Sequence, residues 1–194
     1  AIDVPTLRVA AGSVAVTGSA PWRVAQRLQV AVLTDFCNEC GNCATFCPTA
    51  GRPYRDKPRL YLDRADFEAQ PGNAFMLLEG GAIEVRAAGE TCRVEADGAI
   101  TCITPRARVR LDAATWKVLE AVAAPGGGDG EVPLAACAAA HALLVGLSRM
   151  YIGMHKGGAE GSHKNPAEEI WVVDLRTRER VARLPGHMAV ALVV

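Results

Sequence analysis

Short runs of alternating apolar and polar residues occupy the start and the middle of the chain, and this period of two predicts antiparallel strands. Within residues 1–34 glycine and proline separate three candidate strands, which are Leu7–Val9, Val14–Val16 and Leu28–Leu33. From Ala74 to Leu111 the alternation continues through four or five runs, and Asp97-Gly98 between two of them is a typical hairpin turn. The pattern therefore predicts a β-rich lead-in followed by an antiparallel meander.

Helical periodicity is confined to three segments. Asp63 to Gln70 predicts a short helix with Asp63 as its cap, and Asp112 to Ala123 predicts a helix capped by Asp112. The alanine- and leucine-rich segment Val132 to Met150 predicts another. Residues 125–130, PGGGDG, are typical of a flexible link. We expect an α+β fold with a β-meander and two main helices.

The last 44 residues change character and favour strands again. Tyr151–Met154 predicts a strand, Glu169–Leu175 and Arg180–Leu184 predict a hairpin, and a last strand is expected from Ala189. His155 and His163 flank the polar loop between the first two of these strands. They could be metal ligands, but the surrounding Gly, Asn and Pro favour a plain surface loop.

A cluster of cysteines precedes the meander. Cys37, Cys40, Cys43 and Cys47, with Pro48 directly after the last, form C-x-x-C-x-x-C-x-x-x-C-P. This is the bacterial ferredoxin spacing for iron–sulfur ligation, in which a tight loop directs several sulfurs into one small space. A zinc site usually pairs two C-x-x-C units across a longer gap, and disulfides need more separation than adjacent turns give. The spacing therefore favours a [4Fe-4S] cluster, with the four cysteines as its ligands.

The role of Cys47 stays open. In ferredoxins with two clusters, the fourth cysteine of each run ligates the other cluster, and this sequence contains a single run. Either Cys47 completes its own cluster, or it belongs to a partner motif that this chain lacks.

Three further cysteines and a basic segment are weaker candidates. Cys92 and Cys102 lie on neighbouring predicted strands and could be ligands or a redox pair, but isolated cysteines are more often small buried hydrophobes. Cys137 and His141 stand four apart on a helix, where packing is again the simpler interpretation. The segment after the cysteine run is rich in cations. They could stabilise an anionic cluster and dock an electron donor, or the segment could be a plain solvated linker. The cations are Arg52, Arg55, Lys57, Arg59 and Arg64.

Composition limits the classes of function. Lysine plus arginine equals aspartate plus glutamate at 21 each among 194 residues, so no global field attracts nucleic acid. Apolar runs are too short for a membrane span, no secretory signal is visible, and clustered thiols predict the cytoplasm. Because a nucleotide-binding glycine fingerprint and a flavin motif are both missing from the sequence, we expect a chain that cannot complete a turnover alone. The first residue is Ala1, and Val194 ends an apolar run, which predicts a fragment.

The stretch DFCNECGNCATFCPTAGRPYRDKPRLYLDRADFEA, which runs from Asp35 through Cys37 to Ala69, resembles the C-terminal iron–sulfur region of a selenate reductase subunit family. The resemblance continues less sharply to about Met150. Members of that family are large proteins similar to the small chain of glutamate synthase, with flavin and nucleotide domains upstream and a further cysteine run. The resemblance implies electron transfer within a larger oxidoreductase, with flavin- or NAD(P)H-linked redox domains or subunits as partners.

Tyr151 to Val194, through MHKGGAEGSHKNPAEEIWVVDLRTRERVARLPG, resembles one blade of the β-propeller heavy chain of methylamine and aromatic amine dehydrogenases. That heavy chain is periplasmic and carries no cofactor, and a separate light chain holds the quinone. The alternative function is therefore a non-catalytic subunit-binding module. We expect three segments: a lead-in over 1–36, an iron–sulfur segment over 37–150, and a blade-like segment over 151–194 joined near Met150.

Overall fold

The structure is a computed structural model that describes residues 1–24, 31–45, 51–87, 89–146, 149–155, 166–174 and 179–185. Its backbone contacts divide the chain into unit 1, residues 1–27 with 60–145, and unit 2, residues 28–59 with 146–194. The sequence-based segment boundaries at residues 37 and 151 stay predictions.

Unit 1 begins with a long hairpin that the sequence predicts as two shorter strands. Strand β1 (Ile2–Ala10) pairs antiparallel with β2 (Ser13–Trp22) through a turn at Ala11 and Gly12, both with positive φ. Two successive residues with positive φ match the twist of a two-residue hairpin. On its other side β1 pairs with the short strand β11 (Gly130–Val132).

The main sheet of unit 1 confirms the predicted meander. Six consecutive antiparallel strands follow one another, and they are β5 (Ala74–Leu78), β6 (Ala82–Ala87), β7 (Glu90–Asp97), β8 (Ala99–Ile103), β9 (Ala107–Asp112) and β10 (Val118–Ala123). Gly98, with φ 65°, makes the turn between β7 and β8 as the Asp-Gly pair predicts. Alternate residues of β9 are buried, so one face of the sheet forms the core of the unit.

The predicted helix from Asp112 to Ala123 is wrong. Strand β9 ends at Asp112, residues 113–117 form a loop, and β10 begins at Val118. The Asp112 carboxylate accepts hydrogen bonds from the N–H groups of Ala114 and Thr115, which resembles a helix cap. Trp116 then takes a left-handed conformation, with φ 60°, and this stops any helix after one turn.

At residues 125–130, where the sequence predicts a flexible link, the structure shows a turn held by hydrogen bonds. The N–H of Gly127 donates to the carbonyl of Ala124 at 3.0 Å, and the Asp129 carboxylate accepts from the N–H of Ala11 at 3.0 Å. Because Gly130 then enters β11, the segment is a hydrogen-bonded turn that brings the chain back to β1. Gly126, Gly128 and Gly130 have positive φ angles, which glycine adopts without steric cost.

The other two predicted helices are confirmed with shorter bounds. Helix α3 spans Arg64–Glu68, and the Asp63 side chain accepts from the N–H of Asp66 at 3.0 Å, as a cap does. Helix α4 spans Leu134–Gly146, within the predicted Val132–Met150. None of the described helices is long and apolar enough to cross a membrane.

Unit 2 contains the cysteine motif and three C-terminal strands. Its first part holds β3 (Val32–Leu33), a 3-10 helix (Thr34–Phe36), α1 (Asn42–Thr45) and α2 (Pro53–Asp56), and β4 (Arg59–Leu60) lies at the boundary of the units. Its second part is an antiparallel sheet in the order β12 (Arg149–His155), β13 (Pro166–Asp174), β14 (Glu179–Pro185). The strand predicted from Ala189 lies outside the described residues, as does His163. Within the described ranges the sheets form neither a closed barrel nor a propeller.

Candidate functional site

The cysteine loop, residues 37–47, starts directly after the 3-10 helix. The N–H of Cys37 donates to the carbonyl of Thr34 at 2.9 Å, which fixes the entry to the loop. Asn38 then turns the chain, because its side-chain oxygen accepts from the N–H of Cys40 at 3.2 Å. This local side-chain bond is the Asx turn that favours asparagine at such positions. The sequence Cys-Asn-Glu-Cys therefore folds into a tight corner between the first two thiols.

Two left-handed residues bend the loop between its thiols. Glu39 has φ 53° and Gly41 has φ 81°, one on each side of Cys40. Gly41 adopts this conformation at no steric cost, whereas a non-glycine residue such as Glu39 costs about 1–3 kcal/mol. Helix α1 follows at once, with Cys43 in its first turn. The backbone therefore turns on both sides of Cys40 before helix α1 begins at Asn42.

The thiols of the loop are accessible. Cys40 is exposed, Cys37 and Cys43 are half-buried, and all three are free thiols. The fourth predicted ligand, Cys47, lies outside the described residues. Across the part of the chain that the structure describes, no group of three or more Cys, His, Asp or Glu side chains is gathered to hold a metal ion. The donor set of soft, free thiols fits an iron–sulfur cluster in its chemistry and spacing, but the described thiols are not already assembled around one point.

The basic segment after the loop is less cationic than its sequence indicates. The Asp56 carboxylate accepts from the backbone N–H of Arg52 at 2.7 Å and lies 3.6 Å from its guanidinium. The backbone hydrogen bond from Arg52 is the main cause that lowers the pKa of Asp56. Lys57 is buried, and Arg64 is paired with Glu84 and Glu68. Because these charges are paired or covered, this segment provides a weaker cationic surface than five free cations would.

Unit 1 brings together three cysteines that the sequence treats separately. Cys92 on β7, Cys102 on β8 and Cys137 on α4 are all fully buried, and the Cys137 thiol is hydrogen-bonded to both others. The hydrogen bond to Cys137 and burial raise the pKa of the Cys92 thiol, and the hydrogen bond to Cys102 and burial raise that of Cys137. The sequence analysis expected Cys92 and Cys102 to be small buried residues, and the structure confirms that both are buried. What the sequence analysis missed is the contact of the helix cysteine with the two strand cysteines.

His141, four residues after Cys137 on α4, packs against an aromatic ring, which agrees with the packing role that the sequence favours over a metal site. The His141 ring lies edge-on to Trp116, with ring centroids 5.6 Å apart, and burial lowers the pKa of this histidine. A neutral imidazole packed against an indole contributes to the core below α4. His155 lies in β12, and its side chain falls outside what the structure describes.

Comparison with known proteins gives a partial similarity. The chain is 34% identical over 90 residues to the protein named "Putative oxidoreductase YgfK" from Escherichia coli K12, and equally to that of Escherichia coli O157:H7. These 90 residues are 46% of this chain and 6% of each relative. No protein-family model matches the chain, and neither does a solved structure. The similarity supports an oxidoreductase-related role.

Proposed function

We propose that this chain is an electron-transfer segment of a larger flavin- and iron–sulfur-containing oxidoreductase. Its ligands for a [4Fe-4S] cluster are Cys37, Cys40 and Cys43, with Cys47 as the candidate for the fourth position. The observation that carries the proposal is a tightly turned loop with free, accessible thiols at ferredoxin spacing. The similarity to an oxidoreductase supports the same class of chemistry.

The residues of the loop have distinct tasks in this proposal. The cysteines act as thiolates, and the bond from Cys40 N–H to Asn38 fixes the first corner of the loop. Gly41 supplies the left-handed backbone conformation, φ 81°, with which the loop turns between Cys40 and Cys43. When bound, the cluster supplies one-electron transfer, and its potential depends on hydrogen bonds to sulfur, charge and solvent exposure. Among the three ligand cysteines that the structure describes, Cys40 is the exposed one, so an electron partner reaches the site from its side.

The partners are flavin- or NAD(P)H-linked redox domains or subunits. The chain spans 6% of the length of the relatives that it matches, so the remaining redox groups belong to regions that it does not contain. A relay of this kind accepts and releases single electrons and needs no substrate site of its own. The chain is not a complete catalyst by itself.

Anaerobic reconstitution with iron and sulfide tests the proposal. The wild-type chain should gain a broad visible absorption that dithionite bleaches, because thiolate-bound iron–sulfur clusters are coloured and reducible. Cys40→Ala should lose most of this absorption. Asn42→Ala, which changes a loop residue without a thiol, is the matched control and should keep it. Equal absorption in Cys40→Ala and wild type would contradict the proposal.

A further inference from the structure

Asn38, Glu39 and Cys40 form a closed turn within the cysteine loop. The side-chain oxygen of Asn38 accepts from the N–H of Cys40 at 3.2 Å, and Glu39 between them has φ 53°. A left-handed non-glycine residue is strained by about 1–3 kcal/mol, and such strain persists only where other contacts hold the chain. The bond between Asn38 and Cys40 is a contact of that kind, so it holds the turn in which Glu39 is strained.

The acceptor of this hydrogen bond is a side chain. The N–H of Cys37, the preceding ligand in the sequence, donates to the backbone carbonyl of Thr34 at 2.9 Å. A side-chain substitution at Thr34 leaves that carbonyl in place. The N–H of Cys40 instead donates to the amide oxygen of Asn38, so a substitution at Asn38 releases it.

A backbone N–H at a ligand cysteine is one of the groups that tune an iron–sulfur site. Hydrogen bonds to the sulfurs are among the factors that set the reduction potential of the cluster. Reduction adds negative charge, and hydrogen bonds to a charged acceptor are stronger than those to a neutral one. Each N–H that donates to sulfur therefore raises the potential. The N–H of Cys40 is committed to the oxygen of Asn38, so its contribution is reduced.

We propose that Asn38 lowers the reduction potential of the cluster by withholding the N–H of Cys40 from sulfur. This inference rests on the proposed iron–sulfur function and deepens it, because it assigns a side chain that regulates the potential. Asn38 is a positioning residue, since it acts through the backbone of Cys40 and is not a ligand. A lower potential makes the reduced relay a stronger electron donor towards its partner.

Potentiometric titration of the reconstituted full chain tests this role. Dithionite supplies the electron, and electron paramagnetic resonance follows the reduced form. The couple exchanges one electron, and no bond forms or breaks. Asn38→Ala should shift the midpoint potential to a more positive value, because the N–H of Cys40 is then free to donate to sulfur. Asn38→Asp keeps an acceptor for this N–H and adds a negative charge, so its potential should not rise.

Asn42→Ala is the matched control. It removes another exposed asparagine of the loop and leaves the bond between Asn38 and Cys40 in place, so the potential should stay unchanged. If Asn38→Ala assembles no cluster, Asn38→Ser is titrated instead. A serine hydroxyl holds such a turn more weakly than an asparagine amide, so this variant should also show a positive shift.

The outcomes separate this inference from the iron–sulfur function itself. An unchanged or more negative potential in Asn38→Ala, or an equal positive shift in Asn38→Asp, would overturn the role of Asn38 and leave the proposed function intact. Loss of the cluster in both Asn38→Ala and Asn38→Ser would overturn it too, since Asn38 would then serve assembly. A wild-type chain that assembles no cluster would overturn the proposed function and this inference together.

Discussion

The carboxylate of Asp112 accepts hydrogen bonds from both the backbone N–H and the hydroxyl of Thr115, at 2.8 and 2.7 Å. A further bond runs from the N–H of Trp116 to the carbonyl of Asp112 at 2.9 Å, and the N–H of Asp112 donates to the carbonyl of Lys117. These contacts close the loop between β9 and β10. A single aspartate therefore determines where strand β9 ends and how β10 returns beside it.

The first prediction is that Asp112 makes stability depend on pH in the acid range. Hydrogen bonds from Thr115, the side chain first, lower the pKa of Asp112 below its ordinary value of 3.8. The unfolded chain therefore binds more protons than the folded one in that range, so the stabilisation is present above pH 3.8 and is lost as the pH falls through the lower folded pKa.

Thermal unfolding of the wild type and of Asp112→Asn checks this prediction. Asparagine keeps the acceptor oxygen but has no charge to lose, so the wild type should melt at a higher temperature near neutral pH. The difference should be small, because the group is open to water, and it should disappear at acid pH. A difference that stays constant down to the lowest pH would show that the charge of Asp112 is irrelevant.

The second prediction concerns Gly127, which lies against backbone. A Cβ at this position would lie 2.8 Å from Cα of Arg106 and closer still to the carbonyl oxygen of Pro105. Neither backbone atom can move like the end of a flexible side chain, so Gly127→Ala should destabilise unit 1 by about 1–3 kcal/mol. Gly18→Ala is the matched control, since a Cβ there meets nothing within 4 Å. Denaturant unfolding compares the two, and equal stability of both variants would contradict the close contact.

The strands of unit 1 were predictable from sequence because their signals are local. Alternation of buried and exposed residues in β9, and the Asp-Gly turn before β8, each depend on a few neighbouring residues. The segment after Asp112 shows where such signals mislead. An aspartate whose carboxylate accepts hydrogen bonds from the N–H groups that follow it is found both at the start of helices and in tight turns. The choice between them depends on Trp116, which is buried in the core with a left-handed backbone.

The two groups of cysteines also differ in how far a local sequence pattern could predict them. The spacing of Cys37, Cys40 and Cys43 is a local pattern, so it pointed to one loop, and the structure adds the turns at Glu39 and Gly41. The contact of Cys137 with Cys92 and Cys102 joins a helix to two strands distant in sequence. Nothing in the spacing of these residues indicates it, because it depends on how α4 packs on the sheet.

The third prediction addresses the fourth ligand. The single cysteine run suggests that Cys47 contributes less than the first three cysteines to a cluster that loses one iron readily. After reconstitution, Cys47→Ser should keep most of the cluster signal in electron paramagnetic resonance, whereas Cys43→Ser should lose it. A stable four-iron cluster in the wild type that collapses in Cys47→Ser would show that Cys47 is a full ligand of this cluster.

Analysis of iron, acid-labile sulfide and zinc in the chain purified without oxygen tests the iron–sulfur proposal most directly. Iron and sulfide in nearly equal amounts are expected, because a [4Fe-4S] cluster contains as many sulfides as irons. Both should be lost together in Cys40→Ala and retained in Asn42→Ala. Stoichiometric zinc with no sulfide would instead identify the loop as a zinc site and contradict its role in electron transfer.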